Sequence, residues 1–273
     1  MRTFATVAVL AVLGAPAARA QSASEPSLAF TISGGMSAGQ KLWNVDNQRL
    51  VAPGGAYDTV RLGRRLTPGL TASLAMSFFR SPHFGFNGEI AYFGLSSEQR
   101  CIGPATYVTD TDNLNKKACD NANGRHVASS VIGFMAGAIY QFLDSSSAWH
   151  PYLRANAGLG LLGASFVETI GFVHHPMCST SDQICPYTLL SEKKKTSATV
   201  LLSIAGGFSV NLGTGYRVRM EGRDLILQIP QVQGPATPTS TGNIATTKLT
   251  TKHVPVFTIG FDVLLERRHT RRY

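Results

Sequence analysis

The feature that most constrains the fold is an alternation of apolar residues with small or polar residues, which recurs in segments of about ten residues. The clearest example alternates Leu70, Ala72, Leu74, Met76 and Phe78 with Thr71, Ser73, Ala75 and Ser77. Because successive side chains of a β-strand point to opposite faces, such a segment has one apolar face and one polar face. Eight segments of this kind are predicted as strands, near residues 28–33, 70–78, 84–92, 127–142, 153–161, 198–210, 216–223 and 257–263.

The connections between these segments alternate in length. Short turns near residues 80–83, 144–147 and 211–215 are separated by long polar connections near 37–69, 96–126, 163–196 and 228–252. Barrels of the outer membrane have short periplasmic turns and long external loops. The pattern therefore predicts an all-β fold, an eight-stranded antiparallel up-and-down transmembrane β-barrel over residues 28–265 with long external loops and short periplasmic turns.

The two ends of the chain are predicted to lie outside the barrel. Residues 1–20 have the form of a signal peptide, with Arg2, an apolar run and the small-x-small site Ala18-Arg19-Ala20. Residues 21–27 follow as a short segment, and residues 266–273 form a basic tail. The longest uncharged apolar runs elsewhere, at 131–140 and 198–210, are shorter than the roughly 18 residues of a membrane-spanning helix. We expect export to the outer membrane of a Gram-negative cell.

Two stretches, at residues 85–92 and 151–155, resemble strands of the OmpA-like eight-stranded outer-membrane β-barrel family. The resemblance extends over nearly all of the chain after the signal peptide. It implies a fold and a location, and it brings no catalytic residue and no cofactor. The expected function is therefore non-enzymatic, either structural or in surface interactions, with the external loops as the contact surface for an unknown external ligand.

The polar face of the strands carries a nearly balanced set of charges. The charges predicted to lie inside the barrel are Glu89, Arg154, Arg217, Arg219, Glu221, Arg223 and Asp262. Eight-stranded barrels are filled by side chains, and buried charges must be paired. We interpret the set as structural, and the alternative is a thin pore that slightly favours anions.

Aromatic residues cluster beside the short turns. They are Phe78, Phe79, Phe84 and Phe86 at the first turn, Tyr140, Phe142, Trp149 and Tyr152 at the second, and Phe208 and Tyr216 at the third. Transmembrane barrels carry girdles of aromatic residues at both interfaces. The clusters predict the periplasmic girdle.

Four cysteines lie in two of the long connections. Cys101 and Cys119 share the second, and Cys178 and Cys185 share the third. Exported cysteines are expected to form disulfides, and the two local pairs are favoured. The alternative is a metal site formed by His174, His175, Cys178 and Cys185, although no close Cys-x-x-Cys pair is present.

The expected partners are outer-membrane lipid and lipopolysaccharide. Lys193, Lys194 and Lys195 lie at the predicted outer rim, where lipopolysaccharide phosphates would be within reach, although a solvated charge run is the alternative. The formal net charge of +9 could suggest nucleic acid, but an exported protein is not expected to bind it.

Two further functions remain open at this point. A lipid-modifying hydrolase could use His126, Ser130 and His253, but no carboxylate is placed beside them by spacing. A soluble periplasmic calycin-like barrel would bind a ligand inside and would place the apolar residues inward and the arginines of the seventh strand on the surface.

Overall fold

A computed structural model describes residues 27–51, 57–107, 113–143, 147–174, 183–193, 196–213, 215–239 and 242–265. Within these ranges the chain forms sixteen β-strands and one α-helix. The first eight strands are β1 (Ser27–Ser37), β2 (Lys41–Val51), β3 (Tyr57–Leu66), β4 (Gly69–Phe79), β5 (Phe84–Gly94), β6 (Ser97–Ile102), β7 (His126–Val127) and β8 (Ser130–Gln141). The others are β9 (Trp149–Leu162), β10 (Thr169–His174), β11 (Ile184–Glu192), β12 (Ala198–Gly213), β13 (Tyr216–Val232), β14 (Thr237–Thr239), β15 (Gly242–Ala245) and β16 (Thr247–Leu265). The helix is α1 (Leu114–Ala122).

Eight of the strands form a closed antiparallel barrel in the order β1-β16-β13-β12-β9-β8-β5-β4, with β4 paired back to β1. Ile32 on β1, for example, lies opposite Leu74 on β4 and Phe261 on β16. These strands correspond to the eight predicted segments. The strand pairing confirms the predicted fold class and the eight-stranded barrel expected from the resemblance to OmpA-like proteins.

The long connections are not plain loops, which corrects the prediction from sequence. They contain two further four-stranded sheets, β2-β3-β6-β7 and β10-β11-β15-β14, together with α1. In addition, β13 and β16 remain paired as far as Val232 and Thr247, so the fourth long connection is shorter than predicted. We call the two sheets, α1 and the extension of the β13–β16 hairpin the cap.

The outer surface of the barrel is apolar. Large side chains on this surface are widely exposed, among them Leu70 at 72%, Ile32 at 65% and Ile204 at 59%. The intervening residues, such as Thr31 and Ser203, point inward and are buried. No helix of the described residues is long and apolar enough to span a membrane.

The barrel interior has three layers. Nearest the short turns is a small apolar group of Ala29, Phe79, Ile139 and Tyr152. A layer of charged side chains follows. Beyond it the inward residues are apolar again and merge with the cap in one core, in which Phe93, Leu201, Leu225 and Val254 pack with cap residues such as Leu62 and Leu189.

Strand β13 shows how the charged barrel interior gives way to the apolar core shared with the cap. Near the short turns its apolar side chains, such as Met220, point outward, whereas Arg219 and Glu221 point inward and are buried. Beyond Arg223 the inward positions continue in the same phase but are apolar, because Leu225 and Leu227 are the next buried residues. The same strand thus changes from an apolar outer face to an apolar inner face along its length.

Candidate functional site

The middle layer of the barrel is a network of four buried charges from three strands. Arg223 Nη2 lies 2.8 Å from Glu89 Oε1 and 2.8 Å from Glu221 Oε1. Arg154 Nη2 lies 2.5 Å from Glu221 Oε1, and its Nη1 lies 3.3 Å from Glu89 Oε2. Two guanidinium groups therefore face two carboxylates, and the four formal charges cancel.

A second ion pair lies next to this network. Arg219 Nη2 donates to Asp262 Oδ2 over 2.9 Å, and Thr31 Oγ1 donates to Asp262 Oδ1 over 2.7 Å. The Arg219 guanidinium also lies 4.8 Å from the ring centroid of Tyr152, whose hydroxyl donates to Glu221 Oε2 over 2.8 Å. Tyr152 thereby links the two groups of charges.

All seven residues predicted to be interior charges are buried inside the barrel. Six of them form the two linked groups, and Arg217 lies closer to the short turns, where its Nε donates to Asn211 Oδ1 over 2.8 Å. The dense pairing supports a structural role for this layer, because each ion is compensated by an opposite charge at hydrogen-bond distance. It also places charges across the barrel where a pore would run.

The buried arginines exclude the inverted arrangement of a calycin-like barrel. That alternative requires Arg217, Arg219 and Arg223 on the surface, whereas their exposed fractions are 9%, 4% and 5%. The apolar face of the same strands is the exposed one. The calycin-like alternative is therefore wrong.

Aromatic rings surround the end of the barrel that carries the short turns. Trp149 and Phe208 have ring centroids 5.8 Å apart, and Tyr216 and Phe261 have centroids 5.6 Å apart. Two residues assigned to this girdle from sequence, Phe79 and Tyr152, instead point into the barrel and are buried. Phe79 shares the inward phase of Ser77, and Tyr152 shares that of Arg154, so alternation would have placed both correctly.

Arg64 is a buried arginine in the cap. Its Nη1 donates to the carbonyl oxygens of Ser165, at 3.2 Å, and Glu168, at 2.8 Å, and its Nε donates to Ser97 Oγ at 3.0 Å. Burial lowers the pKa of the Arg64 guanidinium to about 10. Arg64 thus holds the segment after β9 against the β2-β3-β6-β7 sheet. Its role could not be recognised from the sequence, because Arg64 lies among other basic residues of a polar connection.

The helix of the cap joins three connections through Asn115. The Asn115 side-chain amide donates to the Leu50 carbonyl oxygen at 3.2 Å and to Asp58 Oδ2 at 2.9 Å. Its Oδ1 accepts from the Tyr187 hydroxyl at 2.9 Å. The external segments therefore form a single packed body, which is the larger of the two features that sequence reasoning missed.

The cysteines are placed as follows. Cys101 on β6 and Cys119 on α1 form a disulfide with a Cα–Cα distance of 5.3 Å, which confirms that predicted pair. Cys185 is also disulfide-bonded, which removes its thiol from the metal-site alternative. Cys178 and His175 lie outside the described residues. Among the residues that are described, no group of three or more His, Cys, Asp or Glu side chains could hold a metal ion.

The hydrolase residues are not brought together. Ser130 begins β8 and His253 lies on β16, and these strands are four positions apart in a ring of eight, on opposite sides of the barrel. His253 has a carboxylate partner, since its Nδ1 lies 2.7 Å from Asp224 Oδ2 on the exposed outer face. His126 lies on β7, at the edge of the β2-β3-β6-β7 sheet. The three residues proposed from sequence therefore form no catalytic group.

The lysine run is described only in part. Lys193 is exposed at the end of β11, and Lys194 and Lys195 lie outside the described residues. Contact between this run and lipopolysaccharide stays a prediction.

Several solved structures of outer-membrane proteins are similar to this chain. No protein-family model and no curated protein matches it. Among solved structures it is similar to the outer membrane protein OprG of Pseudomonas aeruginosa, at 12% identity and a TM-score of 0.44 over 87% of this chain and 96% of that one. It is also similar to Neisserial surface protein A, at 11% identity and a TM-score of 0.38 over 88% of this chain and 99% of that one. The outer membrane protein AlkL, solved in lipid bilayers, is similar at 13% identity and a TM-score of 0.38 over 94% of this chain and 99% of that one. Because these sequence identities and TM-scores are low, the fold assignment rests on the strand pairing of this chain itself.

Proposed function

We propose that this chain is a non-enzymatic outer-membrane protein, in which the barrel crosses the membrane and the cap is a contact domain on the cell surface. The observation that carries the proposal is the apolar outer face of the barrel. In hydrocarbon every backbone polar group must be paired within the protein, and a closed barrel achieves this. Its lipid-facing side chains must then be apolar, as they are here.

The exposed apolar residues occur on all eight barrel strands. They include Phe30, Ile32 and Met36 on β1, Leu74 and Met76 on β4, Ile90 on β5, Phe134 on β8, Leu159 on β9, Ile204 on β12, Met220 on β13, and Phe257 and Ile259 on β16. A water-soluble barrel would bury this surface or replace it, because large contiguous apolar patches are rare on soluble monomers. The aromatic rings beside the short turns fit the periplasmic interface.

The cap supports a role in contact rather than conduction. Its core continues into the upper barrel, so apolar side chains occupy the region where an open channel would emerge. Its outer faces carry exposed charged residues, among them Lys41, Arg65, Lys116 and Lys248. Lipid and lipopolysaccharide are the proposed partners in the membrane, and an external ligand bound at the cap is proposed in addition.

The experiment that tests the proposal is gel mobility of the detergent-extracted membrane fraction with and without boiling. Closed membrane barrels keep their compact form in detergent until heated, so we expect a heat-dependent shift in the outer-membrane fraction. Recovery of the protein in the soluble fraction, with one mobility in both samples, would contradict it.

A further inference from the structure

A basic groove lies on the outer face of the β2-β3-β6-β7 sheet. It has a volume of about 840 Å³, and its charged lining residues on the outer face are Lys41, Arg65, Arg100 and Glu98. Lys41 lies opposite Arg65, and Arg65 lies opposite Glu98, so these residues form one row across three strands. Arg100 follows in the next row, opposite Gly63.

The positive charge of the groove is not balanced by its own acid. Arg65 Nη2 pairs with Glu98 Oε2 at 2.7 Å, and the Arg65 side chain is still 64% exposed. Lys41 and Arg100 form no ion pair within the described part of the chain, and both are exposed. Three cations against one carboxylate leave a surplus that favours an anionic ligand.

The floor of the groove suits a ligand that hydrogen-bonds. The Asn44 side chain lies over Gly63, where a Cβ would come within 2.9 Å of Asn44 Oδ1, and both residues line the groove. The Nε2 of Gln40, another lining residue, is buried and has no hydrogen-bond partner in the described structure. An unpartnered buried donor is costly, so a rotation of this half-buried side chain toward an acceptor oxygen on a ligand would be favourable.

The height of the groove indicates which anion it meets. Leu70 and Met36 are the outermost exposed apolar residues of β4 and β1. Arg65 and Lys41 lie five residues further from the barrel. With about 3.3 Å per residue and a strand tilt of about 40°, five residues rise about 13 Å above the apolar band. That level lies just above the headgroup layer, which adds about 5–8 Å to each side of the hydrocarbon core, and long Arg and Lys side chains can reach down into it.

We propose that this groove binds the phosphate of an anionic glycolipid headgroup in the outer leaflet, with Lys41, Arg65 and Arg100 as the phosphate-binding residues. This inference rests on the proposed function, because the height argument requires the barrel to span the membrane. Guanidinium groups favour phosphate through paired hydrogen bonds, and the neutral polar side chains of the groove can bind the attached sugar hydroxyls.

The test measures binding of lipid A, with and without its phosphates, to the full protein in zwitterionic detergent micelles by isothermal titration calorimetry. The variant is Lys41→Gln, Arg65→Gln and Arg100→Gln combined. The control, Lys116→Gln, Lys117→Gln and Lys248→Gln combined, removes the same charge from exposed cap positions elsewhere. We expect the groove variant to bind phosphorylated lipid A about a hundredfold more weakly, and the control to bind it as the native protein does.

The proposal would be overturned if the groove variant bound phosphorylated lipid A as tightly as the native protein, or if the control lost as much affinity as the groove variant. It would also be overturned if the native protein bound lipid A equally well with and without its phosphates. Inorganic phosphate is the second probe, and binding of it with no preference for lipid A would assign the groove to a soluble anion instead. Boiled and unboiled gel samples of each variant report insertion separately. A missing heat shift in the native protein therefore contradicts the proposed function, whereas a normal shift with unchanged lipid affinity contradicts the groove alone.

Discussion

Trp43 Nε1 donates to the carbonyl oxygen of Phe166 over 2.8 Å and so joins β2 to a turn that lies 123 residues later in the chain. Both side chains are buried in the cap core, with exposed fractions of 4% and 0%. The two segments belong to different external connections, which are separated by four barrel strands in sequence. Their contact shows that the cap is held by bonds between connections as well as by bonds within each one.

Trp43→Phe should loosen the cap without opening the barrel. The substitution removes the indole donor, leaves the Phe166 carbonyl unpaired and shortens a buried side chain, so we expect about 2 kcal/mol of local destabilisation. Hydrogen exchange should accelerate in residues 163–168. Trp149→Phe, at an exposed ring beside the short turns, is the control and should leave exchange in the cap unchanged. Unchanged exchange in Trp43→Phe would show that this bond does not hold the cap.

Glu221→Gln should destabilise the barrel strongly. Glu221 accepts hydrogen bonds from Arg154, Arg223 and Tyr152, and the neutral amide would leave buried guanidinium charge uncompensated. Breaking one partner of a buried ion pair costs about 3–5 kcal/mol. The measurement is the urea midpoint of unfolding in lipid vesicles.

Asp120→Asn is the matched control for that measurement. Its carboxylate pairs with Lys116 at 2.7 Å on the exposed face of α1, and exposed pairs contribute about 0–1 kcal/mol. Similar midpoints for the two variants would mean that the buried network adds no stability.

Leu74→Arg and Leu249→Arg separate a membrane barrel from a soluble one. The two leucines are exposed to similar extents, 59% and 52%, but Leu74 lies mid-strand on the barrel wall and Leu249 lies on the extension of β16 in the cap. At the bilayer midplane an arginine costs about 2–4 kcal/mol, and above the interface it costs about nothing. Folding yields into vesicles should fall for Leu74→Arg alone, and equal yields would place both residues in water.

Replacing Cys101 and Cys119 by Ser should make the cap sensitive to protease. The disulfide closes a separation of 18 residues, for which chain-entropy estimates give about 3 kcal/mol. Trypsin should cut faster at Lys116 and Lys117, while the heat-dependent gel shift persists. Native cleavage rates in the double variant would show that the packing around α1 holds the cap without the disulfide.

Planar-bilayer recordings of the native protein should show no conductance steps above background. Paired charges cross the middle of the barrel, and beyond them Phe93, Leu201 and Leu225 fill the interior with apolar side chains. Discrete steps in the unboiled protein that disappear after boiling would instead support the thin pore.

The barrel could be predicted from sequence because hydrocarbon imposes a strict period of two on its wall. Strand β4 was predicted at 70–78 and spans Gly69–Phe79. The same alternation placed the inward charges, since Glu221 and Arg223 lie in the polar phase of β13. What it could not supply was their pairing, which depends on how neighbouring strands align around the closed ring.

The cap escaped prediction for a physical reason. The register of β2 shifts between Lys41 and Trp43 and again between Val45 and Gln48, so its buried residues do not alternate regularly. In β3 a buried position is occupied by Arg64 rather than by an apolar residue. On β13 the apolar residues occupy outward positions before Arg223 and inward positions after it. The alternation that predicts the strand therefore stops at Arg223, although the strand continues. Each departure interrupts the period of two by which a strand is recognised from sequence.

The shared core of the cap limits both loop engineering and surface variation. Because the buried faces of all four external connections meet in one core, a peptide grafted into one of them would disturb the packing of the other three. Substitutions on exposed positions such as Lys117 or Lys248 escape that constraint. We therefore expect variants of this chain to differ at single exposed side chains. The buried residues of the four external connections should change only together, because they pack against one another.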